Sequence, residues 1–281
     1  MRLRSLLFVP ADRPERFAKA AASGADAVIL DLEDSVAPER KPYGRDAIRE
    51  WLLEPRDCVS FVRINPLASE FITADLEMTL PSRPGGLVLP KAEGADSIVA
   101  LRAMAKGVVM PPILPIATET PAAIFELGSF RHAREYLAGL TWGAEDLPAA
   151  IGATSAREHD GGYTPPYEMA RSLTLFAAHS AAVAAIETVF PRIEAVEALE
   201  SYVSRARRDG FTGMMAIHPS QVAVINRAFM PGPEEIAHAH RIIAAFEAAS
   251  GAGALQLDGV MIDAPHLKQA RALLAQAGEE L

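Results

Sequence analysis

Short apolar runs in this chain end repeatedly on carboxylates or cations, and those ends are where chemistry could be done. Ile113-Leu114-Pro115-Ile116-Ala117 stops at Thr118-Glu119-Thr120-Pro121, and the run Leu137 to Gly143 stops at Ala144-Glu145-Asp146-Leu147-Pro148. Glu119 and Asp146 thus close consecutive runs. Two hard oxygen donors, completed by water and substrate oxygens, are a donor set that suits Mg²⁺. The plainer reading is that each acid caps the helix that follows it. Arg63, in Val62-Arg63-Ile64-Asn65, is a cation leaving an apolar run. It suits a bidentate clamp on a carboxylate or carbonyl oxygen, or a salt bridge to Glu33 or Asp34. Asp31-Leu32-Glu33-Asp34 packs three acids into four residues. Alternation sends Asp31 and Glu33 to one face, where they either position Arg63 and bound waters or act as ligands themselves. Lys91 could form a Schiff base, or serve as a structural or phosphate-contacting cation. His218 is either a polar ligand contact or a satisfied structural group. Asp263 is either the N-cap of a last helix or, with the tail folded over a site, a base.

These residues need a scaffold that gathers the ends of many apolar runs. Candidate strands are Leu6 to Pro10, Ala27 to Leu32, Val59 to Ile64, Gly86 to Pro90, Ile113 to Ala117, Leu137 to Gly143, Ala184 to Phe190 and Gly213 to His218. Between them, Arg13 to Ser23, Lys41 to Leu53, Ala95 to Ala105, Pro121 to Leu127, Tyr167 to Ala178 and Ala195 to Gly210 read as helices. Eight strands alternating with helices predict an α/β fold, the (β/α)8 TIM barrel, whose active sites lie at the C-terminal ends of the strands. The polar residues fall at those ends, while the opposite ends are mostly apolar, Gly or Pro. Pro115 inside a supposed central strand conflicts with this, because proline cannot donate to a ladder. The barrel is assigned to residues 1–220 and a C-terminal extension to 221–281. In the extension, Gln221 to Phe229 and Glu234 to Ser250 read as helices, Gly251-Ala252-Gly253 as a breaker, Ala254 to Ile262 as a hairpin and Ala264 to Ala277 as a last helix. Such an appendage serves as a lid or an oligomer contact.

Bulk properties narrow the classes. At 281 residues with 50% hydrophobic side chains, the chain is long enough for one barrel with a sizeable core. Its 27 Lys and Arg against 36 Asp and Glu leave a net charge of −9, which argues against a nucleic-acid footprint. Cys58 is the lone cysteine, excluding an intramolecular disulfide and a cysteine-based zinc site. No apolar stretch approaches the roughly 20 residues needed to cross a bilayer, so no membrane partner is expected. The apolar start at Leu6 to Val9 is too short for a signal sequence, and a cytoplasmic enzyme is the expectation.

Several strings, taken together and in order, resemble the citrate lyase β-subunit family of the HpcH/HpaI aldolase superfamily, with its malyl-CoA and citramalyl-CoA lyases. They are Arg4-Ser5-Leu6-Leu7-Phe8-Val9-Pro10, Asp31-Leu32-Glu33-Asp34-Ser35-Val36, Val62-Arg63-Ile64-Asn65-Pro66, Leu89-Pro90-Lys91, Glu119-Thr120-Pro121, Gly143-Ala144-Glu145-Asp146-Leu147, Ala216-Ile217-His218-Pro219-Ser220-Gln221 and Asp258 to Pro265. The resemblance implies a Mg²⁺-dependent carbon–carbon lyase that cleaves a β-hydroxyacyl-CoA to an acyl thioester and an α-keto acid, in a homo-oligomer, trimer or hexamer. It implies Glu119 and Asp146 as metal ligands, Arg63 on the keto-acid or thioester oxygen, and Glu33, Asp34, Glu145 and His218 around the substrate. By the same resemblance Asp263 is the general base brought by a neighbouring subunit, and Arg4, Arg13 and Arg16, with Lys19, are coenzyme A phosphate contacts. Two positions depart from the family pattern. Thr118 stands where an apolar residue is usual, and Glu187 where Asp is usual, so the substrate-side wall is expected to differ there. Rival readings are a citrate lyase subunit active only with an acyl-carrier partner, a pyruvate aldolase independent of coenzyme A, and a silent binding protein.

Overall fold

The computed structural model describes residues 1–249 and 253–279. The chain divides into two units, Met1–Asn226 and Arg227–Leu281. In the first, β1 (Ser5–Pro10), α1 (Phe17–Ala21), β2 (Ala27–Asp31), α2 (Lys41–Leu52), β3 (Val59–Arg63), α3 (Ile72–Ser82), β4 (Gly86–Leu89) and α4 (Gly94–Met104) alternate. There follow β5 (Ile113–Pro115), α5 (Pro121–Glu126), β6 (Gly139–Thr141), α6 (Asp146–Ile151), α7 (Pro165–Ala181), β7 (Ala184–Glu187), α8 (Val196–Asp209), β8 (Gly213–Ala216) and the start of α9 (Pro219–Ala228). Among the described residues eight parallel strands run in the order β5-β4-β3-β2-β1-β8-β7-β6. The ring is closed between β5 and β6, where the Ala138 N–H donates to Ile113 O at 2.8 Å and the Ala117 N–H to Thr141 O at 2.9 Å. This is the (β/α)8 TIM barrel.

Period-two alternation explains the lumen. Leu6, Ala27, Ile29, Phe61, Val88, Leu114, Ile116, Ile186 and Met215 form one buried cluster inside the ring. The intervening residues, Val28, Leu30, Val62, Leu87 and Leu89 among them, are buried under the helices. Continuing the inward series past the apolar layers brings Asp31 and Arg63 to the rim, where the register makes them cross-strand partners.

Pro115 lies in β5, at a place that its missing N–H explains. The Ile116 N–H donates to Leu89 O of β4, whereas the Ala117 N–H and Ile113 O face β6. By that alternation the N–H that proline lacks would point at β6. The β5–β6 pairing accordingly reduces to isolated bridges, Ile113 with Leu137 and Ile116 with Thr141. Two helices escape the sequence pattern. α3 contains Pro81 near its end and precedes a Pro- and Gly-rich stretch, and α6 is only six residues long.

The first unit ends at Asn226, within α9, rather than at residue 220. The side chain of Asn226 accepts from Ser5 Oγ and donates to Gly24 O, both at 2.7 Å, which ties this stretch of α9 to the barrel. The second unit carries α10 (Pro233–Ala248), β9 (Ala254–Leu257), β10 (Val260–Asp263) and α11 (Ala264–Ala277). Its core is Ala239, Ile242 and Ile243 of α10 packed with Ile262, Ala270 and Leu274. The β9–β10 hairpin turns on Asp258-Gly259, both at positive φ, a pairing that two-residue hairpin turns favour. Of the expected breaker at 251–253, residues 251 and 252 lie outside the described residues, as does residue 250 at the end of the expected helix.

Candidate active site

The rim of the barrel encloses a cavity of about 360 Å³ whose polar lining includes Asp31, Asp34, Arg63, Glu119, Glu145 and Asp146. Phe8, Ile116, Val189 and Met215 supply apolar wall. Arg63 sits at the end of β3 with its guanidinium carbon 4.9 Å from the centre of the Phe8 ring. Its Nε and Nη2 donate to the two oxygens of Asp31 at 2.6 and 2.7 Å, and Nη1 lies 2.8 Å from Glu33 Oε2. The partner of Arg63 is therefore Asp31 together with Glu33, and not Asp34, which is exposed. Register accounts for the choice, since Asp31 stands directly opposite Arg63 while Asp34 has left the strand.

Hydrogen bonds to Asp31 occupy two of the five guanidinium N–H groups, and Glu33 adds an ion-pair contact at Nη1, so N–H groups remain for a ligand. Burial pushes the Asp31 carboxyl up, but Arg63 and Ser35 outweigh it and hold the group below the ordinary carboxylate range. Burial also opposes the charge on Arg63, and the two acids overcome it, so the guanidinium is held charged. Glu33 does not line the cavity. It stands behind it, bridging Arg63 and Lys91, whose Nζ lies 2.7 Å from Glu33 Oε1. A further layer fixes this arrangement. Lys41 donates to Leu32 O, Glu33 O and Asn65 Oδ1, and fully buried Asp75 accepts from Asn65 and Arg45. Asp75 belongs to α3 and is missed by the sequence reading along with that helix.

Of the readings open to Lys91, its contacts fit the structural one, an ammonium held by Glu33. Burial alone would lower its affinity for the proton, but the hydrogen bond to Glu33 and the nearby acids raise it, so the amine stays an ammonium. Its backbone takes the left-handed conformation, φ 51°, rare for a residue with a side chain. That turn aims its N–H at Glu119 Oε2, 2.6 Å away, while its ammonium reaches 3.5 Å from Asp146 Oδ1.

Glu119 is not a helix cap. Thr120 caps α5 by accepting from the Ala123 N–H, leaving the Glu119 carboxyl to turn inward. Glycine at 143 makes room for it, since a Cβ there would stand 2.7 Å from Glu119 Cγ. Asp146 is the first residue of α6 and Glu145 the residue before it, with an exposed side chain. Burial, with smaller contributions from Glu33 and Asp146, pushes the Glu119 carboxyl up to about 8. A buried carboxylate that lines one cavity with a second is destabilised as an anion until a cation joins it. Two carboxylates with open neighbouring positions fit Mg²⁺, which keeps water and substrate oxygens in its shell. Among the described residues no group of three or more acids, histidines or cysteines gathers to make a closed metal cage.

The coenzyme A contacts separate. Arg4 precedes β1, at the opposite end of the barrel, and is held by Asp26 at 2.9 and 2.7 Å. A six-residue strand sets it about 20 Å from the rim, so Arg4 is removed from the site. Arg16, Lys19 and His218 line a second cleft that shares Phe8, Pro10 and Ile217 with the first cavity. Arg13 is exposed, 3.9 Å from Asp12. His218 accepts from the Ser220 N–H in this cleft rather than facing the carboxylates. Glu187 does not form the substrate wall either. It is fully buried and points outward into the helical layer, where Trp142, Arg171 and Tyr202 donate to it. In the second unit, Asp263 is the residue before α11, and its Oδ1 lies 2.6 Å from His266 Nδ1.

Comparison with known proteins agrees with this fold. Residues 4–219 match the HpcH/HpaI aldolase/citrate lyase family, and residues 162–278 match a family described as a carbon–carbon bond lyase of the TIM-barrel fold. A citrate lyase subunit beta-like protein of Mycobacterium tuberculosis is 39% identical, the alignment covering 97% of this chain and 95% of that one. A (3S)-malyl-CoA thioesterase of Cereibacter sphaeroides is 31% identical over 98% of this chain and 94% of its own. The crystal structure of CitE from M. tuberculosis in complex with magnesium, acetoacetate and coenzyme A superposes with a TM-score of 0.86 at 38% identity, covering 98% of both chains. The chain belongs to the HpcH/HpaI aldolase/citrate lyase family and is a carbon–carbon lyase.

Proposed function

We propose that this protein cleaves, reversibly, a β-hydroxyacyl-CoA such as malyl-CoA or citramalyl-CoA to an acyl thioester and an α-keto acid, with Mg²⁺ held by Glu119 and Asp146. The observation that carries the reading is the pairing of an only partly compensated carboxylate couple with a preorganised guanidinium at one rim. When bound, the cation supplies Lewis-acid stabilisation of charge on the carbonyl oxygens. Arg63 directs its remaining N–H groups at the keto-acid carboxylate or the thioester oxygen, and Asp31 and Glu33 keep it from moving as charge develops. Asp263, brought by a neighbouring subunit, takes the proton of the β-hydroxyl. The C–C bond then breaks, the hydroxyl carbon becomes the keto carbonyl, and the electron pair passes to the thioester as an enolate that is reprotonated to the acyl-CoA. In synthesis Asp263 removes the α-proton of the acyl thioester instead. Arg16, Lys19 and His218 form a cleft suited to the phosphates of coenzyme A, and Arg13 stands at its edge in sequence.

The test is to mix the protein and Mg²⁺ with malyl-CoA, citramalyl-CoA, 3-hydroxy-3-methylglutaryl-CoA and citrate, and to identify products by mass spectrometry. Release of a keto acid and a shortened thioester, abolished by EDTA, by Glu119→Gln and by Asp263→Asn, is the expected result. Release of a free hydroxy acid with no keto acid would instead make the chain a thioester hydrolase. Activity only after adding an acyl-carrier subunit would make it one part of a larger lyase.

A further inference from the structure

The seam between β5 and β6 carries the two strand ends on which Glu119 and Asp146 stand, and it is the seam at which Pro115 removes a ladder donor. Backbone pairing there stops at the Ala117 N–H to Thr141 O bond. Beyond it, the side chain of Thr118 takes over. Its Oγ1 accepts from the Gly143 N–H at 3.1 Å and donates to Gly143 O at 3.2 Å, so a single hydroxyl makes both contacts that a strand residue would make with its main chain. Thr118 is fully buried, and the residue it grips is the glycine against which the Glu119 side chain rests.

We infer that Thr118 is a positioning residue, a side-chain clasp on the barrel seam that sets the spacing between the Glu119 and Asp146 carboxylates and so the affinity of the site for a divalent cation. The inference rests on the proposed metal role of those two acids. Three consequences of sequence meet here. Pro115 weakens the seam, Thr118 restores it with an oxygen that an apolar residue would not have, and Gly143 lets the clasp and the glutamate share one place. Loss of the hydroxyl leaves a half-buried N–H and C=O of Gly143 without this partner. Such groups seek others by moving the chain, and the chain that moves leads within three residues to Asp146.

The test uses Mn²⁺ as the probe on the full chain freed of metal, its binding followed by electron paramagnetic resonance, with turnover not needed for the readout. Thr118→Val keeps shape and removes the hydroxyl, and Thr118→Ser keeps the hydroxyl. The expected result is at least a tenfold rise in the Mn²⁺ dissociation constant for Thr118→Val, with Thr118→Ser within threefold of wild type. Both variants are first shown by circular dichroism and a thermal melt in EDTA to be folded. Should Thr118→Val not fold, the Ser variant is compared with Thr118→Ala, which shares its small size and lacks the hydroxyl. Mn²⁺ binding by Thr118→Val, or by Ala where Val is unusable, within twofold of wild type would overturn the inference. Glu119→Gln separates the two levels. If it abolishes Mn²⁺ binding while the hydroxyl-free variant binds normally, the clasp alone is wrong. If Glu119→Gln binds as wild type, the metal assignment fails and the clasp with it.

Discussion

Replacing Arg63 by Met should expose how the site holds its charges. Arg63 and Asp31 have side chains only 12% and 2% exposed, and two of their contacts are 2.6 and 2.7 Å. Removing the guanidinium leaves the Asp31 carboxylate buried with only Ser35 and the Glu33 N–H for partners. A buried ion pair broken on one side costs about 3–5 kcal/mol, most of it the isolated charge rather than the lost attraction. For a chain of this size that corresponds to a fall in Tm of roughly 6–20 °C. Neutralising the stranded acid should recover part of it, so Asp31→Asn combined with Arg63→Met is expected to be more stable than Arg63→Met alone by about 2 kcal/mol. Arg63→Lys separates fold from chemistry. It keeps a charge for Asp31 yet cannot present a planar fork to substrate, so its melt should stay near wild type while kcat/KM drops by about 10²–10³. Urea unfolding in EDTA and steady-state kinetics on the cleaved thioester measure the two effects. A wild-type melt for Arg63→Met, or wild-type kcat/KM for Arg63→Lys, would refute this account.

Three other perturbations follow from individual contacts. Because the folded Glu119 carboxyl is pushed up to about 8 from its ordinary value near 4.5, the metal-free fold holds a proton there that the unfolded chain gives up earlier. Stability therefore falls as pH rises between those values; melts in EDTA should drop from pH 6 to pH 9, Mg²⁺ should reverse the drop, and Glu119→Gln should flatten it. Asp26 is displaced the other way: burial raises it, but Arg4 prevails and lowers it, so its contribution is present at neutral pH and lost as pH falls through the depressed value. Asp26→Asn should cost about 1–3 kcal/mol at pH 7 by urea unfolding and leave the KM for the acyl-CoA unchanged, since Arg4 is far from the rim. Gly143→Ala places a Cβ 2.7 Å from Glu119 Cγ and 3.1 Å from its Oε1, so Mn²⁺ binding measured by calorimetry should weaken at least tenfold while the protein stays folded.

Residues whose position follows from a two-residue period were legible before any coordinates. The eight strands are there, and Arg63 and Asp31 arrive at the rim because apolar residues two and four places earlier face the lumen. Glu119, Glu145 and Asp146 were legible as the ends of runs. What escaped depends on register and on the helices. That Asp31 rather than Asp34 pairs with Arg63 is settled by which residue stands opposite it across the β2–β3 ladder. Glu187 reads as a wall residue until its parity is compared with Ile186, which faces the lumen, and Arg171 and Tyr202 are found behind it. Arg4 shares a motif with the site but stands before its strand instead of after it, and a motif read as a string does not say which end of a strand is meant. Asp75 had no signal of its own, since Pro81 and the following Pro and Gly disguise the helix that carries it.

The distribution of internal cations decides which acids are free to hold a metal. Asp31 and Glu33 are the more conspicuous pair in the sequence, yet each is already matched: Asp31 accepts two N–H groups of Arg63, and Glu33 lies between Arg63 and Lys91. Taking either for a metal would strand one of those buried cations. Glu119 has the Lys91 main-chain N–H, a neutral donor, and makes no ion pair among the described residues. Asp146 touches a cation only at 3.5 Å, through an ammonium whose closer partner is Glu33. Of the two acid pairs, Glu119 and Asp146 are thus the less fully matched by cations. It is also there that the rim opens onto the cavity. Lys91, turned into an unusual backbone conformation to serve Glu119 with its N–H and Glu33 with its ammonium, keeps the two acid pairs apart: one fixes the arginine, the other is left for the proposed cation.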